Sequence, residues 1–227
     1  MRALVAAAIV GGLAVAPLAA EAAQAPIRYS VSLEATVVDR ASYEQTARAE
    51  DCVTRREGEG TRRAVVRSVR RATISVAPRG AGVVYRPARL AAVRVSGTTG
   101  TGSYIETRIC RANPIERTTG NCRTARIPPL TVGAAFRRPA RGAIRFGRAP
   151  AAARGRYSAC GLNSSFPSSW LDHVSGTVNE GALRRGARVV RARGARPAVA
   201  FFQSPPPSVE VSRRAIVRWT LTFRRIG

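Results

Sequence analysis

Ile27-Arg-Tyr-Ser-Val-Ser-Leu-Glu-Ala-Thr-Val37 is the stretch that decides the fold class. Its apolar residues are Ile27, Tyr29, Val31, Leu33, Ala35 and Val37, with Arg28, Ser30, Ser32, Glu34 and Thr36 between them. Successive side chains of a strand point to opposite faces, so a period of two describes a β-strand with one face buried and one in water. The far end of the chain repeats the pattern. Ala215, Val217, Trp219, Leu221 and Phe223 alternate with Ile216, Arg218, Thr220, Thr222 and Arg224.

Shorter strand candidates lie between these two, at 64–69, 72–77, 83–86, 90–95, 104–110, 143–146, 187–193, 199–202 and 208–211. Turn signals separate them, among them Pro78-Arg79-Gly80, Gly97-Thr98-Thr99-Gly100, Pro128-Pro129 and Pro205-Pro206-Pro207. No amphipathic pattern of ten or more helical residues is evident. The segment 134–156, rich in Arg, Ala, Gly and Pro, reads as a long irregular loop or an interdomain linker. The pattern predicts an all-β chain: an antiparallel, Greek-key-like β-sandwich with long Arg/Ala/Gly/Pro-rich loops. Residues 23–227 are expected to form one domain, the alternative being two small β-domains split near 149–156.

Residues 1–22 read as a secretory signal peptide. Arg2 gives the positive start, residues 3–16 an uncharged apolar run, and Ala20-Glu21-Ala22 a small-residue cleavage site. No later segment has the roughly 20 apolar residues of a spanning helix. Cys52, Cys110, Cys122 and Cys160 then make an even number of cysteines in an exported chain, which predicts two disulfides. The turn chemistry of Asn113-Pro114 and Thr118-Thr119-Gly120-Asn121 favours Cys110 with Cys122, leaving Cys52 with Cys160 as a long-range staple across both halves. Zinc is not expected: there is no CxxC pair and His173 is the lone histidine.

Charge is the feature that points toward a partner. The 227 residues hold 38 Lys+Arg, all arginine, against 13 Asp+Glu, for a net charge of +25. Arginine without lysine has two readings, bidentate contacts to phosphate, sulfate or carboxylate, and the codon drift of a GC-rich genome, which the abundant alanine fits; drift alone does not explain the scarcity of acids. From Arg117 onward there are 21 arginines and three acids, Asp172, Glu180 and Glu210; before it there are 17 arginines and ten acids. The candidate contact surface is therefore Arg184, Arg185, Arg188, Arg191, Arg193 and Arg196, joined by Arg137, Arg138 and Arg141. Arg191 and Arg193 share strand parity and are expected to face outward together.

Catalytic chemistry is thin. Asp172-His173 lies near Ser168, Ser169 and Ser175, yet consecutive residues of an extended segment face opposite ways, and there is no GxSxG elbow. Glu50-Asp51 lacks the calcium-loop pattern, and neither GxGxxG nor GxxxxGK[ST] occurs. The expectation is a non-enzymatic exported or envelope-associated module without cofactor or metal, holding anionic envelope polymers or acidic glycans through arginine. Export argues against a nucleic-acid target. The alternatives are a secreted hydrolase with a carboxylate-based site and a protein-binding or inhibitory module.

Overall fold

The computed structural model describes residues 25–77, 83–84, 91–124, 126, 129–137, 142–148, 160–162, 168–204 and 208–227. The signal-peptide and 149–156 boundary readings fall outside them. Among the described residues twelve strands follow in chain order: β1 (Ile27–Ala49), β2 (Cys52–Arg70), β3 (Ala72–Val76), β4 (Val83–Val84), β5 (Ala91–Gly97), β6 (Gly100–Cys110), β7 (Asn113–Thr124), β8 (Leu130–Arg137), β9 (Ala143–Arg148), β10 (Ser175–Thr177), β11 (Val189–Ser204) and β12 (Ser208–Ile226). A 3-10 helix (Ser168–His173) precedes β10, and the short helix α1 (Glu180–Arg184) follows it. Asn179 caps α1, its side chain accepting a hydrogen bond from the Ala182 N–H at 2.9 Å.

Among the described residues every strand pairing is antiparallel, and the pairings join these strands into one sheet in the order β10-β9-β8-β5-β2-β1-β12-β11. β3 and β4 extend from β1, and the β6–β7 hairpin extends from the lower half of β2. The sheet curls, bringing β10 beside β11, while the 3-10 helix packs on β9, β11 and β12. The alternation read at Val31 and Leu33 sets the inside: Tyr29, Val31, Leu33 and Val37 meet Val217, Trp219, Leu221 and Phe223 on the buried face. Trp170, Leu171, Val174 and Leu183 cover that face from the helical segment. Tyr29 fastens the cover, its hydroxyl donating to the carbonyls of Leu183 at 2.9 Å and Ala187 at 3.0 Å.

Several strands outrun their sequence signals. β1 continues to Ala49 and β2 begins at Cys52; the inward positions of this lower region include the small Ala41, Gly58 and Gly60 beside Tyr43, so the apolar contrast is weak. A two-residue turn, Glu50-Asp51, joins them, with Glu50 at φ 50°. β8 occupies the start of the segment expected to be an irregular loop.

Both disulfides form, with a pairing different from the expected one. Cys52 bonds Cys110 and Cys122 bonds Cys160. The β6–β7 turn is Arg111-Ala112, directly after Cys110, rather than midway between the two cysteines. Cys122 is thereby carried up the hairpin to stand opposite Gly102, while Cys110 stands opposite Cys52 on β2.

Candidate functional site

The outer face of the sheet carries the charge. Residues directly opposite on adjacent strands share a face, so the register places each outward side chain. One row runs Val199, Arg214, Arg40, Thr61, Thr101, Arg123 from β11 to β7. A second runs Arg193, Thr220, Glu34, Arg67, Arg94 from β11 to β5. Arg218 and Arg63 lie on the rows between. All these arginines are exposed, and none forms an ion pair among the described residues.

Two contacts stand out energetically. Arg40 is directly opposite Arg214, and Arg67 is directly opposite Arg94. Like charges facing each other across a ladder destabilise a sheet, by an amount comparable to the 0.2–1 kcal/mol (roughly) that opposite charges contribute. An anion laid over such a pair converts the repulsion into two charge-assisted contacts, and the planar guanidinium is suited to bidentate ones. Beside the Arg67–Arg94 pair is a shallow depression of about 550 Å³, lined by Glu34, Thr36, Arg67, Arg193, Arg218 and Thr220.

The sequence candidates divide. Arg191 and Arg193 project outward from β11 as their parity predicted. Arg184 lies in α1; Arg185 and Arg188 are exposed in the connection from α1 to β11, with the Arg188 carbonyl accepting the Arg225 N–H at the end of the β11–β12 ladder. Arg196 is exposed on β11 at the opposite parity from Arg193. Arg137 sits on β8, paired with Arg145, and Arg138 and Arg141 lie outside the described residues. Arg40, Arg63, Arg67 and Arg94, all before residue 117, share this outer face and are not among the sequence candidates. Counting charge along the chain separates halves that the β1–β12 and β1–β2 pairings interleave. Strand parity, applied to β1 beyond Val37, was the signal that could have found Arg40.

The acids gather four residues farther along β1. Glu44 is directly opposite Glu210 on one side and Glu57 on the other, with Glu59 on the neighbouring row. They line a groove of about 500 Å³ with Tyr104 and Phe201. Arg55 bridges Glu44 at 3.0 Å and Glu57 at 2.7 Å.

Inside the sheet a separate cluster is structural. Asp39 is buried between Arg62 and Arg213; Arg213 Nε donates to Asp39 Oδ1 at 3.3 Å, Arg213 Nη2 donates to Oδ2, and Arg62 Nη2 donates to Oδ2 at 3.4 Å. Arg213 also lies over the Trp170 ring, 4.7 Å from its centroid. Burial pushes the Arg62 pKa below its ordinary value; Asp39 opposes the shift and Arg213 adds to it. His173 ends the 3-10 helix half-buried, beside the buried Leu171 and Val174. Glu50-Asp51 forms the β1–β2 turn, and no metal-binding group of three or more His, Cys, Asp or Glu occurs among the described residues. No helix there is long and apolar enough to cross a membrane.

Neither a known protein family nor a curated protein matches this chain. Among solved structures, the TodX ΔS2S3 mutant monoaromatic hydrocarbon channel aligns over 89% of this chain and 91% of its own, with 8% identity and a TM-score of 0.17. A likeness at that level carries no argument about fold or function.

Proposed function

We propose that this protein is a non-enzymatic, exported or envelope-associated module that binds polyanions through the arginine field on the outer face of its sheet. The observation that carries the reading is the pair of cross-strand arginine contacts, Arg40 with Arg214 and Arg67 with Arg94; Arg40 faces no carboxylate on either neighbouring strand, and Arg67 faces Glu34 on its other side. The scaffold in this reading is sandwich-like, the two ends of the curled sheet enclosing the core; the approach of β10 to β11 supports it. A single hydrophobic cluster that includes both Val93 and Val190 supports one domain. Two disulfides accord with an oxidising compartment.

Binding to immobilised inorganic polyphosphate tests it. Affinity should fall steeply between about 0.1 M and about 1 M salt, as the screening length shrinks from about 10 Å to about 3 Å. Arg40→Gln, Arg67→Gln, Arg94→Gln and Arg214→Gln together should weaken binding far more than the same change at Arg48, Arg70, Arg185 and Arg188. Equal losses would show that bulk charge, not this face, does the binding.

A second reading, a carboxylate-based hydrolase, draws on the groove at Glu44, Glu57 and Glu210. Directly opposed residues have Cβ atoms about 4.5–5.5 Å apart, which brings two carboxyl groups within the range used by retaining glycosidases. Turnover of a glycan panel that Glu44→Gln and Glu57→Gln each abolish would establish it.

A further inference from the structure

Between the arginine field and the glutamate row, the outer face turns apolar at its β11 edge. Pro197, Val199 and Phe201 project from alternate positions of β11, and Pro197, Ile216 and Val38 form one row across three strands. Val199 is 69% exposed, Phe201 64% and Ile216 46%. Large apolar groups scattered singly on a surface are ordinary; a contiguous band of them marks a contact site. Among the described residues β11 pairs only with β12, so the band sits at the rim of the sheet.

Arginines border this band. Val199, Arg214 and Arg40 share one row, and Arg218, opposite Ala195, stands on the row before Pro197 and Ile216. Adjacent rows of one face are two residues, about 6.6 Å, apart along the strand, so the apolar groups and guanidinium groups are near neighbours on the same face. Glu210 and Glu44 bound it on the far side, one row beyond Phe201. A hydrophilic polymer would satisfy the arginines and leave Phe201 and Val199 in water. An anionic lipid surface satisfies both, accepting apolar side chains at the headgroup boundary while its phosphates meet the arginines.

We infer that the polyanion engaged here is an anionic lipid surface, with Val199, Phe201 and Ile216 entering the interface and Arg40, Arg214 and Arg218 holding headgroup phosphates. The inference rests on the polyanion reading and narrows it. The glutamate row, repelled by the same phosphates, keeps the lower β1–β2 region off the membrane and fixes the orientation.

Sedimentation of the full chain with vesicles tests it, using phosphatidylglycerol mixed with phosphatidylcholine, pure phosphatidylcholine, and inorganic polyphosphate as a soluble polyanion. The protein should bind the mixed vesicles and leave the neutral ones. Val199→Ser, Phe201→Ser and Ile216→Ser together should lower vesicle partitioning by about tenfold or more while polyphosphate affinity holds. Arg40→Gln with Arg214→Gln should lower both. As an independent readout, the emission of a Phe201→Trp variant should shift to the blue on mixed vesicles. Unchanged vesicle binding by the serine variant, equal loss of vesicle and polyphosphate binding, or no emission shift overturns the lipid inference and leaves the polyanion reading standing. Failure to bind either vesicles or polyphosphate overturns both.

Discussion

Gly194 stands directly opposite Trp219 on the β11–β12 ladder, and the indole fills the space a side chain at 194 would need. A Cβ built there would lie 2.5 Å from Trp219 Cζ2, and one at Gly176 on β10 would lie 2.7 Å from Cη2. One indole thus separates the strands at the two ends of the sheet, and two glycines make room for it. Gly194→Ala and Gly176→Ala should each destabilise the fold by about 1–3 kcal/mol through overpacking. Urea midpoints measure this, and an unchanged midpoint for both would mean that the ring is not confined between the strands.

Asp39 serves two buried arginines. Removing it leaves Arg62 and Arg213 without their shared carboxylate, and breaking a buried ion pair by deleting one partner costs about 3–5 kcal/mol. Asp39→Asn should therefore be among the most damaging single substitutions in the sheet. Replacing all three together by apolar residues, Asp39→Leu with Arg62→Met and Arg213→Met, should recover much of the loss, because an apolar replacement removes the desolvation cost with the charges. Thermal melting of the single and triple variants separates these outcomes.

Tyr29 gives the fold an alkaline limit. Burial raises its pKa above 10.0, with Arg225 opposing the shift. The folded state therefore holds the phenol proton more tightly than the unfolded chain does. That stabilisation is complete below about pH 10, the unfolded value, and is lost as pH rises through the higher folded value. Tyr29→Phe should cost about 1–2 kcal/mol at neutral pH, because the hydroxyl's two carbonyl contacts vanish. It should also flatten the fall in stability above pH 10. Tyr43, likewise raised by burial, contributes a remaining slope.

The disulfides can be read directly. Peptide mapping of the unreduced protein should recover Cys52 with Cys110 and Cys122 with Cys160. Replacing either pair by serine should cost about 2–4 kcal/mol, since the bonds span 58 and 38 residues of sequence. Recovery of a Cys110–Cys122 peptide would contradict the β6–β7 register.

Arg214 offers a trade between stability and binding. Arg214→Glu, facing Arg40, replaces a like-charge contact with an opposite one and should stabilise the sheet by up to about 1 kcal/mol. The same change should weaken polyphosphate binding. Weakened stability together with unaltered binding would remove the argument that this contact awaits an anion.

Much of the fold is legible in the residues themselves. The alternation from Ile27 to Val37 and from Ala215 to Phe223 placed the inward faces of β1 and β12 correctly, because burial of one face writes a period of two into the residues themselves. The lower halves of β1 and β2 were obscure. There Ala41, Gly58 and Gly60 point inward beside Glu and Arg, and small inward residues lack the contrast that marks a strand. The two-residue turn at Glu50-Asp51 was equally hidden, since Glu50 takes a positive φ that sequence rules reserve for Gly or Asn.

The sequence by itself determined an all-β chain, the inward residues of its two terminal strands, an even set of cysteines and a large arginine excess. Each is a local or compositional property, carried by neighbouring residues or by a sum over the chain. Only the tertiary structure decided which cysteines meet, which arginines stand together and where the acids gather. Antiparallel pairing brings Arg40 to Arg214 and Glu44 to Glu210 across more than 160 residues of sequence, and a shift of register by one residue would turn each strand's side chains to the other face. Charge along the chain reports how much arginine is present; register decides which arginines face each other.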